Sequence, residues 1–584
     1  MFEYLQAIED RLEPDQKDML KRIYAPTVVG VPLSDVRRDM CVLPNGEIRS
    51  YGVLYQKQAF LAGQGAYYSS VDGGISWVKR YAYGEMASCN YIAEADIYLS
   101  VADKFNILSD TFGAGKGLWV YRSKIGCGDE NPEKIKVADG NYQNAFLPLK
   151  SVFSNRIWFT AEREQNPNNV AVFCYSDDWG KTWQTRELEV KDRFEMNYPH
   201  KGLRWCIFSG SEPSVVELSK NNLMMLLRSP HDSFYQSFSY DNGETWSEPK
   251  PSTFYGTNTT SFLLRLKDGR ILVFWNNTKP LPEVDHEKTF PPVDSWILEG
   301  KGEDAFTNRD AAHVAISEDG GKTFCGYREL LLNPLRNRAD FRYVGGVEDG
   351  YDKSVHQFQA IELPFNKVLV SAGQNPRSRR TLIFDLDWLY ETKREEHFID
   401  GLENVSTHTY VKSVAGHTVW QAGNGHCAYN RKQSVCIVPH PSGNYKEAVQ
   451  VQKQHDERLV SDISGIVWNF PSARKGKVSV EIKIVEKQAR FVLTDRWYNP
   501  CDEYAAEFSP FAFELDALET GEDFALVEME YDLNQATVQV FVNGKHVRAV
   551  SQVKACPTAI SYFMLQCATK EDSKGFYVTS MKKE

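Results

Sequence analysis

One eight-residue pattern occurs four times in the chain, and it restricts the fold more than any other feature. The copies read Ser-x-Asp-x-Gly-x-Ser/Thr-Trp/Phe and occupy residues 70–77, 176–183, 239–246 and 317–324. In such a turn the Asp accepts hydrogen bonds from nearby amides, the Gly supplies a backbone angle that other residues resist, and the aromatic ring lies beneath the turn. Short strand-like runs such as VAVFCY and HVAI precede the copies. The pattern therefore predicts four turns, each closing a β-hairpin.

A second repeat alternates with the first. The segments DMCVLPNGEIRSYG, SVVELSKNNLMMLLR, SFLLRLKDGRILVFW and QAIELPFNKVLVSAG each read as strand, tight polar turn and strand. Hairpins that recur at intervals of tens of residues are typical of β-propeller blades. We therefore predict a six-bladed propeller over residues 24–442, preceded by a short helical segment over 1–23.

The last part of the chain has a different pattern. At 584 residues the chain is too long for one ordinary core. After Pro441 the repeats stop, and alternating segments such as KVSVEIKIV, FALVEMEYDL and ATVQVFVNGKHV follow. These predict a C-terminal β-sandwich over 443–584, so the expected fold class is all-β.

The composition limits the classes of function that the chain could have. Aromatic residues make up 13% of the chain, which suits both β-strands and stacking on sugar rings. A net charge of -11 argues against nucleic acid as a partner. No apolar stretch approaches the ~20 residues of a membrane span.

The N-terminal residues and the cysteines bear on location and cofactors. The first residues lack the pattern of a signal peptide, so we expect a cytoplasmic protein, or a secreted one if a leader has been removed. The 11 cysteines are scattered without a C-x-x-C pair, which favours reduced thiols over a disulfide framework or a zinc site. No metal or organic cofactor is predicted, and the oligomeric state stays open.

These motifs resemble a known family. The four turns match the Asp boxes (BNR repeats) of the sialidase, or neuraminidase, superfamily, as does the segment SEPSVVEL at 211–218 with Arg228 ending the following strand. The resemblance covers roughly the first 400 residues. It implies a sialidase-like propeller with its Asp boxes on the blade periphery, away from an axial pocket. The C-terminal segments YDLNQA and FVNGK are similar to a concanavalin-like lectin sandwich of the jelly-roll type. A purely structural sandwich is the alternative.

The resemblance also implies a chemistry. Arginines clamp the carboxylate of the substrate in bidentate pairs. A Tyr activated by a Glu attacks the sugar, because an anionic carboxylate nucleophile would repel an anionic sugar. A carboxylic acid then protonates the leaving oxygen.

Several residues match these roles. Glu212 stands where the family has the Glu that assists the nucleophile, and Tyr351 falls near the position of the nucleophilic Tyr. Arg228 matches the second arginine of the clamp. His356 and Gln357 form an unusual polar pair in a predicted inner strand, where they could contact a ligand or simply be satisfied core groups.

Other arginines could complete the clamp. Arg37 and Arg38 lie just before the first blade hairpin, near the place of the first clamp arginine, although the family's R-I-P setting is absent. Arg377, with Arg379 and Arg380 in the segment NPRSRR, could supply a later one.

The general acid departs from the family pattern. The family has an Asp on the loop after the first Asp box, whereas the comparable stretch GEMASCNYIAEADIY offers Asn90. Glu85 and Asp39 are possible substitutes. The departure leaves room for another sugar or another mechanism.

The leading hypothesis is an exo-acting glycoside hydrolase that releases a terminal, acidic sugar from oligosaccharides. One alternative is a lyase on the same propeller, in which Tyr351 or His356 abstracts a proton beside a uronate carboxyl. A second alternative is a propeller with a lectin domain that binds glycan without cleaving it. Carbohydrate is the predicted partner in all three, with neither nucleic acid nor membrane.

Overall fold

The computed structural model places two short helices ahead of the sheets. It describes residues 2–30, 40–51, 64–83, 86, 88–102, 117–165, 169–191, 210–229, 233–256, 259–279, 309–334, 355–373, 379–410, 431–433, 435–443, 446–454, 463–569 and 571–584. Helix α1 spans Tyr4–Arg11 and helix α2 spans Pro14–Arg22. A capping box formed by Glu13 and Gln16, with Pro14 in the first turn, starts α2. Strand β1 (Thr27–Gly30) follows.

Six antiparallel sheets come next, and we call them blades 1 to 6 in chain order. Blade 1 has β2 (Met40–Val42), β3 (Ile48–Tyr51), β4 (Gln64–Ser70) and β5 (Val78–Tyr83). Blade 2 has β6 (Asn90–Ile92), β7 (Ile97–Ala102), β8 (Leu118–Ser123) and β9 (Glu133–Ala138). Blade 3 has β10 (Tyr142–Gln143), β11 (Leu149–Lys150), β12 (Ile157–Arg163), β13 (Val170–Ser176) and β14 (Gln184–Glu189). In blade 3, β10 and β11 both pair with β12 and together form an interrupted first strand.

The remaining three blades have the same strand order. Blade 4 has β15 (Ser211–Ser219), β16 (Asn222–Arg228), β17 (Ser233–Ser239) and β18 (Lys250–Tyr255). Blade 5 has β19 (Phe262–Arg265), β20 (Ile271–Trp275), β21 (Ala311–Ser317) and β22 (Cys325–Leu332). Blade 6 has β23 (Gln359–Leu363), β24 (Lys367–Ala372) and β25 (Arg380–Asp385).

The N-terminal strand completes the last blade. β1 pairs antiparallel with β25, with Thr27 opposite Ile383, and so becomes the fourth strand of blade 6. The first strands of neighbouring blades lie side by side, except that blade 3 meets β15 of blade 4 through its second strand, β12, and β2 lies against both β6 and β23. Blades 1 and 6 are thus neighbours, and the predicted six-bladed propeller is confirmed.

Apolar side chains fill the seams between blades. Because a blade is covered on both faces, its strands read as nearly continuous apolar runs. Between blades 4 and 5, for example, Val216 and Leu226 pack against Val273. Between blades 6 and 1 the cluster includes Ile48 and Leu369 together with residues of α1 and α2.

Each Asp box closes a hairpin, as the pattern predicted, and the boxes lie between the third and fourth strands of blades 1, 3, 4 and 5. In every box the Ser hydroxyl donates to Oδ1 of the Asp over 2.8–2.9 Å. The backbone N–H four residues after the Asp donates to the same oxygen over 2.9 Å. In two boxes the indole also donates to the box glycine, from Trp77 to Gly74 O and from Trp183 to Gly180 O.

Each box also packs on the preceding blade, and the glycine makes this approach possible. Gly243, in the blade 4 box, has a φ of +91°, and a Cβ there would lie 2.3 Å from the ring of Phe173 in blade 3. Gly74, in the blade 1 box, meets Leu369 of blade 6 in the same way. The boxes therefore hold neighbouring blades together around the ring.

The C-terminal part is a sandwich of two antiparallel sheets. The larger sheet has the order β30-β31-β40-β33-β36-β37-β38, with β26 added beside β40. The smaller sheet has the order β27-β32-β39-β34-β35, and β28 pairs with β29 in a separate ribbon. The strands are β26 (Arg394–Glu396), β27 (Val405–Ser406), β28 (His408–Tyr410), β29 (Arg431–Gln433), β30 (Val435–Pro439), β31 (Glu447–Lys453), β32 (Ser464–Ala473), β33 (Lys475–Ile484), β34 (Gln488–Thr494), β35 (Phe511–Asp516), β36 (Ala525–Asp532), β37 (Thr537–Val542), β38 (Lys545–Ser551), β39 (Ile560–Cys567) and β40 (Ser573–Lys583). Two one-turn helices, α3 (Ala505–Phe508) and α4 (Ala517–Thr520), lie between strands.

The sandwich begins earlier than predicted. β26 pairs with β40, β27 with β32 and β30 with β31, so residues 394–396, 405–406 and 435–439 already belong to it. The predicted boundary at 442/443 is corrected accordingly, because the last propeller strand, β25, ends at Asp385. Strands of two to five residues carry too few alternating positions to be found in a sequence.

The two domains share a buried polar junction at blade 5. His313 Nδ1 accepts a hydrogen bond from Asn277 N over 3.0 Å. The other ring nitrogen bonds to Tyr562 of the sandwich, whose hydroxyl donates to Glu329 over 2.8 Å. Burial lowers the pKa of His313 to about 3, so the imidazole is neutral.

The segment that follows β34 also joins the domains. Arg496 pairs with Asp495 over 3.0 Å, and its guanidinium lies 3.5 Å from the ring centroid of Tyr255 in blade 4. Trp497 N donates to Asn277 O over 2.9 Å, just beyond the end of β20. The sandwich is therefore fixed against the ends of propeller strands.

Candidate functional site

The propeller has two chemically different faces. Because the strands of a blade alternate in direction, every Asp box lies on one face. The starts of the first strands and the ends of the second strands lie on the opposite face, which we call the site face. Glu212, near the start of β15, and Arg228, at the end of β16, both belong to the site face.

Glu212 and Arg228 form a buried ion pair. The guanidinium Nη1 donates to Glu212 Oε2 over 2.8 Å, and the two residues are 5% and 8% exposed. Ser211 pairs with Arg228, but the register shifts before Ser214. The resulting bulge includes Glu212, and bulges of this kind re-aim side chains. The structure thus brings together the two sequence-predicted residues of blade 4.

A second carboxylate, Glu162 of β12, fixes the position of Glu212. Glu162 is 1% exposed, and its Oε2 accepts a hydrogen bond from Glu212 N over 2.8 Å. Its Oε1 accepts from Gln143 Nε2 and Asn144 Nδ2, each over 2.6 Å. Thr160 of the same strand donates to the carbonyl of Pro213 over 2.6 Å. Blade 3 thereby holds the bulge of blade 4 at two points.

Backbone strain marks three positions on the site face. Asn144, Glu212 and Gln357 have φ values of +53°, +48° and +61°. Asn adopts this region with some ease, but Glu and Gln do so rarely, at a cost of order 1–3 kcal/mol. Such strain persists where the surrounding structure enforces it, and it is common at functional sites.

A further polar cluster lies at the seam of blades 5 and 6. His356 is 3% exposed, and its carbonyl accepts from Gly373 N over 2.6 Å. Arg379 is fully buried and donates from Nη1 to Gly373 O over 2.7 Å. Arg309, also buried, accepts at its carbonyl from Val355 N over 2.9 Å. His356 and Gln357 precede β23 rather than lying within an inner strand as predicted.

The seam of blades 6 and 1 adds neutral polar groups near the site face. Gln359, Ser371 and Thr381 are opposite one another across blade 6, and each is 1% exposed. Side-chain oxygens of all three, and the amide nitrogen of Gln359, have no hydrogen-bond partner among the described residues. Groups of this kind suit water or sugar hydroxyls better than a charged ligand.

Several predicted residues lie outside the described residues. These are Arg37, Arg38, Asp39, Glu85, Tyr351 and Arg377. Asn90 is described, and its side-chain amide donates to Pro148 O over 2.9 Å, so it joins blade 2 to blade 3. Because a side-chain amide has no acidic proton to donate, Asn90 is not the general acid that the resemblance implies.

Two residues of these clusters were not predicted from the sequence. Glu162 ends the run WFTAE, where an acidic residue on an otherwise apolar strand could have been noticed. Arg309 precedes β21 without a distinguishing pattern. Both became recognisable only once the blades that meet around them were known.

The described residues favour neither a metal centre nor a membrane span. No three His, Cys, Asp or Glu side chains converge as a metal site within the described ranges. No helix in the same ranges is long and apolar enough to cross a bilayer.

The site has clear chemical capabilities. A buried carboxylate held by a guanidinium is a fixed acceptor that can draw a proton from a hydroxyl group beside it. The planar guanidinium suits bidentate contact with a carboxylate. Together the fold and this site define a six-bladed, Asp-box propeller with a strained, buried Glu–Arg pair on the face opposite the boxes.

A family model agrees with this class. Residues 137–344 match the BNR repeat-like domain. This match spans blades 3 to 5 and the three Asp boxes within them, in agreement with the repeats found in the sequence. A comparison with curated protein sequences finds no match.

Several solved structures match the chain at low identity. Trypanosoma rangeli sialidase with 2,3-difluorosialic acid is 12% identical, with 96% of this chain and 91% of that chain covered and a TM-score of 0.34. An exo-β-1,3-galactanase from Phanerochaete chrysosporium, with galactose, is 10% identical over 96% and 100% of the two chains, with a TM-score of 0.32. A protein of unknown function from Dyadobacter fermentans is 16% identical over 62% and 99%, with a TM-score of 0.38.

Proposed function

We propose that the chain is an exo-acting glycoside hydrolase that releases a terminal, acidic sugar at the site face of its propeller. The observation that carries the proposal is the buried pair of Glu212 and Arg228, held on a strained bulge by Glu162. A protein that needed only a stable blade would have no reason to bury this charge pair, because desolvation opposes it.

The two members of the pair have different roles in this proposal. Arg228 binds the carboxylate of the sugar, since a guanidinium fork matches a carboxylate in geometry and charge. Glu212 draws the proton from the attacking hydroxyl as the glycosidic bond breaks. Tyr351 remains the predicted source of that hydroxyl.

Elimination is the second candidate reaction, and His356 favours it. This histidine is buried at the start of blade 6, next to the strained Gln357. An imidazole base there would abstract a proton beside a uronate carboxyl. The two reactions give different products, because only elimination leaves an unsaturated uronate that absorbs in the ultraviolet.

The test is product analysis with the full chain. The protein is incubated with sialylated and with uronate-terminated oligosaccharides, and products are identified by mass spectrometry and ultraviolet absorbance. We expect release of a saturated acidic monosaccharide. Glu212→Gln should lower the rate by about 100-fold or more, the range for loss of a general base, with the fold intact by circular dichroism.

A matched variant keeps the result specific. Glu244→Gln changes a carboxylate in the blade 4 box, which pairs with Arg186 on the other face. It should leave the rate unchanged. An ultraviolet-absorbing product would show that the reaction is elimination and not hydrolysis. Glycan binding without any product would show that the propeller is a lectin.

A further inference from the structure

The seam between blades 1 and 2 brings three cysteines and a tyrosine together. Cys89 and Cys127 both belong to blade 2, and their sulfurs are 3.2 Å apart. The hydroxyl of Tyr51, at the end of β3, lies 3.0 Å from the Cys127 sulfur and 3.7 Å from the Cys89 sulfur. Cys41 of β2 lies farther away, 3.9 Å from the same hydroxyl. We call these four residues the thiol cluster.

The two nearest cysteines differ in exposure and acidity. Cys89 is fully buried, whereas Cys127 is half-buried. A hydrogen bond from Cys89 lowers the pKa of Cys127; burial opposes this effect, and Tyr51 and the Arg49 guanidinium reinforce it. The same hydrogen bond, followed by burial, raises the pKa of Cys89. Cys127 is therefore the sulfur suited to attack a disulfide first, and Cys89 is the sulfur suited to attack second.

The geometry favours a bond between them. Neighbouring sulfurs at 3.2 Å need to approach by only about 1 Å, because a disulfide bond is about 2 Å long. Cys89 lies just before β6, and Cys127 lies in the connection between β8 and β9. Gly128 N donates to Met86 O over 3.1 Å, so the backbones on either side of the pair are already in contact.

We propose that Cys89 and Cys127 are a reversible dithiol–disulfide pair that exchanges with small-molecule disulfides. The Cys127 thiolate attacks the small disulfide, breaks its S–S bond and releases one thiol. The Cys89 sulfur then attacks the Cys127 sulfur of the mixed disulfide, and the second small thiol leaves. In sum, two protein thiols become one disulfide, and their two electrons and two protons convert the small disulfide into two thiols.

Oxidation would crosslink two parts of blade 2. The bond closes a loop that contains β6, β7 and β8 and ties the outer connection of the blade to the start of its first strand. Asn90, the next residue after Cys89, begins that strand and joins blade 3 through Pro148. The oxidised blade should therefore unfold less readily, since the crosslink reduces the freedom of the unfolded chain.

The experiment uses the full chain and oxidised glutathione. After incubation, unreacted thiols are counted, and peptides are mapped by mass spectrometry with and without reduction. We expect a Cys89–Cys127 crosslink, the loss of two thiols with no glutathione retained at either, and a rise in apparent Tm of about 5 °C. Dithiothreitol should reverse all three changes.

Variants separate the two sulfurs. Cys89→Ser should leave glutathione attached to Cys127, and Cys127→Ser should leave Cys89 unreacted. Cys325, which is exposed, is the matched control, and Cys325→Ser should oxidise at the pair as the wild type does. A wild-type protein that keeps glutathione on Cys127, links Cys127 to Cys41, or leaves both thiols reduced would overturn the proposal.

Discussion

The two faces of the propeller use polar residues in opposite ways. On the Asp-box face the same turn recurs in four blades with the same distances, and in three of the four the Asp is partly or fully exposed. On the site face the polar residues do not repeat, and the central ones are buried and strained. The repeated residues thus stabilise the fold, whereas the residues that depart from the repeat form the candidate site. The comparison predicts that mutations on the two faces change different measurements.

The largest effect should come from Arg228→Lys. Lysine keeps the charge but loses the planar fork, so we expect the rate on an acidic sugar to fall by about 100-fold or more while the fold is retained. The matched change is Arg186→Lys, since Arg186 pairs with Glu244 beside the blade 4 box. It should leave the rate within about twofold of wild type. Steady-state kinetics of both variants would test this prediction. An equal loss of rate in the two variants would contradict the proposed difference between the faces.

The sandwich and the Asp-box face should respond to pH with opposite signs. Burial raises the pKa of Asp502, in the sandwich segment packed at the domain junction, to about 7. The folded state therefore keeps a proton that the unfolded state has lost, and this group destabilises the protein as pH rises from about 4 to about 7, by up to about 1.4 kcal/mol per pH unit. Asp502→Asn should gain stability relative to wild type over that interval, measured by urea unfolding.

Asp319, in the blade 5 box, gives the contrasting case. Burial acts to raise its pKa, but hydrogen bonds from Thr323 and Ser317 prevail and lower it to about 2. The stabilisation is present above the unfolded value of about 4 and is lost as pH falls toward 2. Asp319→Asn should therefore be least stable, relative to wild type, at neutral pH. The same trend for both variants would contradict the contrast.

Trp183→Ala should reduce the stability of the fold without changing the activity. The indole is half-buried, packs edge-on against Phe159 with ring centroids 5.0 Å apart, and donates to Gly180 O. Partial burial puts the expected loss at about 2–3 kcal/mol, below the range for a fully buried Trp. Activity per folded molecule should match wild type. A large loss of activity without a loss of stability would place this box in the functional machinery.

Asp178→Ala should have the smallest effect. It removes the acceptor used by Ser176 and by the N–H and hydroxyl of Thr182, at a partly exposed turn. We expect a loss of about 1 kcal/mol. Combined with Asp319→Ala two blades away, the losses should add within about 0.5 kcal/mol, because the sites share no partner. Strong non-additivity in denaturant melts would show that the boxes act as one unit.

Local patterns accounted for much of the fold. The Asp boxes and the hairpins are determined by residues within about ten positions of one another, so their turns and strands could be predicted. β1 could not, because four residues, TVVG, carry little pattern and their partner is β25. The early strands of the sandwich, β26 and β27, were missed for the same reason.

Less of the candidate site could be predicted from the sequence. Glu212 and Arg228 were identified by a family-like frame, and they are in contact. Glu162 was missed because its role depends on a backbone N–H from the next blade, which no local pattern encodes. The strain at Glu212 and Gln357 was likewise invisible, since it results from the way blades and bulges meet.

The closing strand of the ring has a consequence for synthesis. Thr27 pairs with Ile383, so β1 leaves the ribosome long before its partner exists. At roughly 5–20 residues per second, it waits roughly 20–70 s for β25. Throughout that time the nascent chain carries an unpaired edge strand, the kind of segment that binds wrong partners. The first strand to be made is thus among the last to find its place.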